Sequence, residues 1–166
     1  LLSDHLLKAS LMKYYLYAIA SLTILISCLN DAKKLPEKNS FVENEVVAVV
    51  LMKSNNKTVE EISTFSQFYV DLVQEREPNT YAWSHFQKED NIVLIERYKD
   101  EEAHLNHIKN ISPGGISEKE FGQFLEHFEI LEIDIYGTVS DKFKSVIDGF
   151  NLPTSYNSTI AKYSRD

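Results

Sequence analysis

The chain has 166 residues and a net charge of −8, with 25 acidic residues against 17 Lys and Arg. That is the length of one domain with extensions, and no basic cluster is present to hold nucleic acid. A hydrophobic content of 43%, with nine Phe and nine Tyr, points to a packed core and away from a disordered chain, and the one cysteine, Cys28, leaves no intramolecular disulfide and no cysteine-built metal site.

The first segment reads as an address. Met12-Lys13 is followed by an uncharged run from Tyr14 to Ile26, shorter than a comfortable membrane span, and Leu25-Ile26-Ser27-Cys28 closes it. Leu-Ile-Ser-Cys is similar to the end of a bacterial lipoprotein signal, in which the cysteine is acylated and becomes the new N-terminus. The expectation is an exported protein of the bacterial cell envelope, held at a membrane by lipid on Cys28. Residues 1–28 are therefore read as upstream residues plus an export and lipoprotein signal. Residues 29–44, polar and charged around Pro36, form a tether, and residues 45–166 form the folded domain.

Within the domain, Val46–Met52 is almost wholly apolar and predicts a strand buried on both faces. Ser54-Asn55-Asn56-Lys57 predicts a turn. Thr58 and Glu61 then match a capping box, and Val59, Ile62, Phe65, Phe68/Tyr69 and Leu72/Val73 recur at helical spacing. Pro78 ends that helix. Tyr81–Phe86 and Asn91–Tyr98 predict a hairpin turning at Lys88-Glu89-Asp90. Asp100 is placed to cap a helix whose first turn carries Glu101 and Glu102, and on which Ala103, His107 and Asn110 share a face. After Ser112-Pro113-Gly114-Gly115, Ser117 and Glu120 suggest a second capping box before the stripe Phe121, Phe124, Leu125, Phe128. Ile130–Tyr136 alternates as a strand, Ser140 caps a last helix bearing Phe143, Val146, Ile147 and Phe150, and Ser155–Tyr163 predicts a terminal extended segment. The order is that of an α+β, ferredoxin-like split βαβ domain with an extra C-terminal helix and strand.

Glu77-Pro78-Asn79-Thr80-Tyr81, then Glu96-Arg97-Tyr98-Lys99-Asp100, then Ala103 and His107, resemble the antibiotic biosynthesis monooxygenase family. Tyr136-Gly137 with Ser140 is similar to a branch described as quinol monooxygenases. The resemblance runs from about Val46 to Arg165 and lies in the ordered set, not in one motif. It implies a ferredoxin-like fold, a homodimer whose sheets pack into an α/β barrel, and a pocket between sheet and helices for a small-molecule substrate. It implies oxidation of quinols or hydroxy-aromatics by molecular oxygen with no cofactor. The family commonly has Gly where Asn79 stands, and Asn tolerates the left-handed conformation such a turn would need. Haem-degrading relatives resemble one another in an Asn on the first strand and a Trp on the second helix. Val46–Met52 has no Asn, and His107 falls where that Trp would be, which argues against haem degradation.

Among candidate residues, His107 is the catalytic candidate, because an imidazole can take the proton that a dihydroxy-aromatic must lose before giving an electron to oxygen; the plainer alternative is a helix histidine that hydrogen-bonds a neighbour at the sheet edge. His104 is expected to face solvent. Trp83 alternates with Tyr81 and His85 along its strand, so the three either line an aromatic, substrate-binding pocket or belong to the core of a dimer barrel. Glu96, inside a strand, needs a partner if buried. A structural ion pair is the first expectation and a substrate-binding role the second, with Arg97 excluded because neighbours in a strand point to opposite faces. The histidines show no metal-ligand spacing, and there is no phosphate loop, flavin or nicotinamide fingerprint or nucleophile motif. Two functions follow: a cofactor-independent oxygenase, or a non-catalytic envelope protein holding a small apolar ligand or haem. An inward His107 with a second polar group favours the first, and a sealed apolar space favours the second.

Overall fold

The computed structural model describes residues 42–165. Cys28, the signal and most of the tether lie outside the described residues. The elements are β1 (Val46–Ser54), α1 (Val59–Arg76), β2 (Thr80–Lys88), β3 (Asn91–Tyr98), α2 (Glu101–Ile111), α3 (Glu118–His127), β4 (Phe128–Tyr136), α4 (Asp141–Asp148) and β5 (Thr154–Asn157).

The sheet runs β2-β3-β1-β4-β5. β1 lies antiparallel to both β3 and β4, β2 is antiparallel to β3, and β5 adds to β4 in parallel. The first four strands make the ferredoxin-like arrangement, with the last helix and strand extending its edge, as the element order predicts. β1 is central because it is the most continuously apolar strand. Val46, Ala48, Val50 and Met52 are buried and cluster with residues of the helices, whereas Val47, Val49 and Leu51 alternate to the other face and take no part in that core. Tyr69, Tyr98, Phe128 and Phe143 are the largest fully buried side chains, each worth about 2–3 kcal/mol of apolar burial.

The helix starts follow from local chemistry, with one exception. Thr58 and Glu61 form the reciprocal capping box, the Asp100 carboxylate accepts from the Ala103 N–H, and the Ser140 hydroxyl accepts from the Phe143 N–H. Ser117 does not cap α3 through its side chain. Arg76, at the end of α1, takes both halves of the expected box: its guanidinium donates to the Ser117 hydroxyl at 3.1 Å and to the Glu120 carboxylate at 3.3 Å. A charge-assisted contact between helices displaces a local one.

Smaller departures have similar causes. β4 begins at Phe128, not Ile130, because Ser54 and Lys53 of β1 extend far enough to pair with Phe128 and Glu129. The terminal strand stops at Asn157, well short of Tyr163. Asn79 does not adopt the left-handed conformation; its carbonyl accepts from the Lys99 N–H at 2.9 Å, and Asn56, Glu89 and Asn151 are the non-glycine residues with positive φ among those described.

Candidate active site

A cavity lies between the buried face of the sheet and helices α2, α3 and α4. Ala48, Val50, Leu94 and Ile135 form its floor, and Ile108, Phe124 and Ile147 belong to its helical wall. About 80 Å³ of it is open to the centre of a water-sized sphere, several times what one water needs. The polar residues on this wall are Glu96 from β3 and His104 and His107 from α2, with the Trp83 indole and the Tyr69 phenol beside them.

His107 is 5% exposed. Its Nδ1 lies 3.0 and 3.1 Å from the two carboxylate oxygens of Glu77. Glu77 is the C-cap of α1 and is itself held on every side. The Asn110 amide donates to Oε1 at 3.1 Å and the Thr80 hydroxyl donates to Oε2 at 3.1 Å. The shared face of His107 and Asn110 on α2 is thus a binding face for one buried carboxylate. Burial drives the His107 pKa down and the Glu77 pKa up. Their mutual hydrogen bond and charge outweigh this, so His107 titrates above the ordinary imidazole range and Glu77 below the ordinary carboxylate range. With Nδ1 engaged, Nε2 is the nitrogen left to act, and it makes no hydrogen bond among the described residues. A carboxylate that orients an imidazole and stabilises its protonated form is the recurring support for a histidine base.

Glu96 is 6% exposed and makes no ion pair among the described residues; the expected structural ion pair is not formed. The strand neighbour Arg97 points the other way and binds Glu45 at 2.6 Å. Instead the Tyr98 hydroxyl donates to Glu96 Oε2 at 2.7 Å. Burial pushes the Glu96 pKa up against the lowering influence of His107 and Tyr98. The site therefore has two buried carboxyl groups with opposite tendencies, the Glu77 pKa lowered and the Glu96 pKa raised, both acting on His107.

His104 faces inward, contrary to its expected solvent position. It is 4% exposed, its ring stacks on Tyr98 at 4.3 Å and 8°, and the Phe143 ring meets it edge-on at 5.1 Å. Burial, then the neighbouring His107 charge, pushes its pKa down to about 3. One helical turn separates His104 from His107, and α2 lies close enough to the sheet that both turn inward.

The three aromatic positions of β2 separate. Trp83 pairs across the sheet with Glu96, is buried, and approaches His107 at 5.0 Å between ring centroids. Tyr81 falls where the β2–β3 register shifts, between Thr80 opposite Tyr98 and Ala82 opposite Arg97, and does not line the cavity. His85 lies further along, stacked on Phe128 at 5.8 Å and bordering a separate cleft between α1 and β2; burial lowers its pKa to about 4. Among the described residues no group of three or more His, Cys, Asp or Glu is placed to hold a metal ion.

A sheet of this order with helices on one face has a counterpart among solved structures. MupZ from Pseudomonas fluorescens is similar at a TM-score of 0.55 and 14% identity, over 74% of this chain and 95% of that one. The two share a fold. A candidate antibiotic biosynthesis monooxygenase from Bacteroides thetaiotaomicron has a TM-score of 0.44 and 16% identity, over 60% of this chain and 92% of that one. No protein-family model matches the sequence, and neither does any curated protein sequence.

Glu77 belongs to the stretch that carries the family resemblance, but the sequence gives it no role in the site. Its signal is the position itself: a carboxylate ending one helix just before Pro78, in a chain whose later helix presents His107 and Asn110 on one stripe. Nothing local says that the two helices meet there.

Proposed function

We propose that this cavity binds a quinol or small hydroxy-aromatic and that His107 removes its hydroxyl proton, so that the phenolate can be oxidised by molecular oxygen without a cofactor. The observation that carries this reading is His107, set in the wall of a mainly apolar cavity and backed through Nδ1 by the buried Glu77 carboxylate. Nδ1 stays hydrogen-bonded to the carboxylate while Nε2 receives the proton. The phenolate passes an electron to oxygen, and the two radicals combine at a ring carbon. Loss of water then leaves one oxygen atom on the ring as a carbonyl. The second oxygen departs as water with two hydrogens of the substrate, one from O–H and one from C–H.

The remaining polar groups suit that chemistry. Burial raises the Glu96 pKa, and in its protonated form Glu96 can donate a hydrogen bond to a substrate oxygen. Trp83 and Tyr69 supply aromatic walls for a planar ring. Haem needs far more room than the roughly 80 Å³ of this space, and the polar pair at His107 distinguishes the cavity from a plain apolar store.

Oxygen uptake on a panel of quinols tests the reading. His107→Gln lowers turnover by at least about 100-fold while the circular dichroism of the fold persists. Glu77→Gln lowers turnover less and moves the pH–rate limb to lower pH, because the carboxylate that raises the His107 pKa is gone. The limb of the unaltered protein lies above the ordinary histidine value of 6.5. Activity that survives His107→Gln would remove the histidine from the mechanism.

A further inference from the structure

The cavity has a larger neighbour on the outer surface. Phe121, Ile130, Phe150 and Leu152 border the cavity, and the same side chains border a trough on the outer surface between α3, the start of β4 and the connection from α4 to β5. The trough has about 440 Å³ open to the centre of a water-sized sphere, against about 80 Å³ inside. Its other residues are Leu125, Phe128, Asn55 and Glu129. Both polar members are occupied elsewhere: the Asn55 amide donates to the Leu125 carbonyl at 3.0 Å, and Glu129 pairs with Lys53 at 2.8 Å. The trough's wall is therefore mainly hydrocarbon. Leu125 is 46% exposed and Phe150 40% exposed, in positions where a lone protein leaves them against water.

We propose that this trough holds the aliphatic chain of the ligand whose ring sits against His107, so that the substrate class is a hydroxy-aromatic bearing an apolar tail. This rests on the reading of the cavity given above and narrows it. The inner space is the smaller of the two, and it carries Glu96 and His107, the polar groups that a ring hydroxyl needs. The outer space is several times larger, is lined mainly by apolar side chains, and shares four of them with the inner one. A ligand with a hydroxylated ring and a hydrocarbon chain places its hydroxyl against His107 and Glu96 and its chain against Leu125, Phe150 and Leu152. A tailless ring would leave Leu125, Phe150 and Leu152 hydrated. Each methylene taken out of water strengthens binding about fourfold, so two or more seated in the trough give at least about a tenfold gain.

The one tryptophan, Trp83, lines the inner cavity, so its fluorescence reports occupancy of the ring site without any need for turnover. The full chain is titrated with a benzoquinone carrying a decyl chain and with the same quinone lacking it. The decyl compound is expected to quench with a Kd at least about tenfold lower. Leu125→Glu brings the ratio of the two Kd values close to one; the position is half-exposed on a helix, where Glu is a good helix former, so the fold persists. Equal affinities, or a ratio that Leu125→Glu leaves unmoved, overturn the trough assignment. Oxygen uptake with the corresponding quinols reads the chemistry separately. A tail preference without uptake keeps the trough and removes the oxygenase, whereas uptake without a tail preference does the reverse. Absence of quenching by both quinones overturns the two together.

Discussion

His104 and His107 stand one helical turn apart, are equally buried, and are driven in opposite directions. His107 has Glu77 against its ring and titrates above the ordinary imidazole value. His104 has Tyr98 and Phe143 against its ring, no acidic partner, and a pKa of about 3. The signs of their contributions to stability differ accordingly. For His104 the folded value lies below 6.5, so the unfolded chain takes up the proton first as pH falls. Stability tied to this group is present above 6.5 and is lost towards about 3. For His107 the folded value is raised, so its contribution is complete below 6.5 and is lost as pH rises through the folded value. His85, lowered to about 4, adds to the acid side. His104→Phe should therefore flatten the fall in Tm on acidification, gaining about 2 kcal/mol relative to the unaltered chain near pH 5. An acid limb equally steep in both proteins would mean that His104 is not held neutral. Replacing His104 by Ala, by contrast, removes a ring packed between Tyr98 and Phe143 and should destabilise the fold, so it is no inert control for His107.

Between elements, the decisive contact is the turn from α2 into α3. Gly115 packs so tightly that a Cβ there would lie 2.2 Å from the Asn110 carbonyl oxygen and 2.4 Å from that of Lys109. The same Asn110 carbonyl accepts from the Ser117 N–H at 2.8 Å, while the Asn110 side chain holds Glu77. Backbone packing in the turn thus bears directly on the carboxylate behind His107. Gly115→Ala should cost about 2 kcal/mol or more of stability, as forced overpacking does. It should also lower activity, because Asn110 is displaced. Gly122, inside α3, faces open space: a methyl group there would meet nothing within 4 Å, and Gly122→Ala should raise stability by up to about 1 kcal/mol through helix propensity. Chemical denaturation of the two variants separates these outcomes; equal effects would refute the packing argument. Arg76 acts at the same junction from α1, holding Ser117 and Glu120 where a local cap would otherwise form.

At the scale of the molecule, the sheet has one face in the helical core and a second face that is also apolar. Val47, Val49 and Leu51 of β1 and Val93 and Ile95 of β3 lie on this second face and belong to no part of the described core. Such a surface is stable in water when another surface covers it. We propose that a second copy of the chain does so, sheet against sheet, about a two-fold axis. A chain beginning at Ser40 should sediment as a dimer at micromolar concentration, and Val49→Glu should convert it to a monomer. A monomer before the substitution would defeat the proposal.

The sequence by itself determined the parts whose causes are local. The alternation and apolarity of β1, β3 and β4, the capping at Thr58, Asp100 and Ser140, and the break before Pro78 each depend on residues within a few positions of one another, and from their order the ferredoxin-like plan follows. It also marked His107 and Asn110 as one face of a helix. Only the tertiary structure decided what that face meets. The carboxylate that supports His107 comes from a helix end 30 residues earlier in the chain. The burial of His104 depends on how closely α2 lies on the sheet. The separation of Trp83 from Tyr81 and His85 depends on a register shift between paired strands and on distance along β2. Ser117 and Glu120 lost their local box to an arginine about 40 residues away, with separations of 41 and 44. Local pattern fixes which way a side chain points along its own element. Hydrogen-bond partners and pKa values are set by whichever residues the folded chain brings within a few ångströms, and those have no fixed spacing in the sequence.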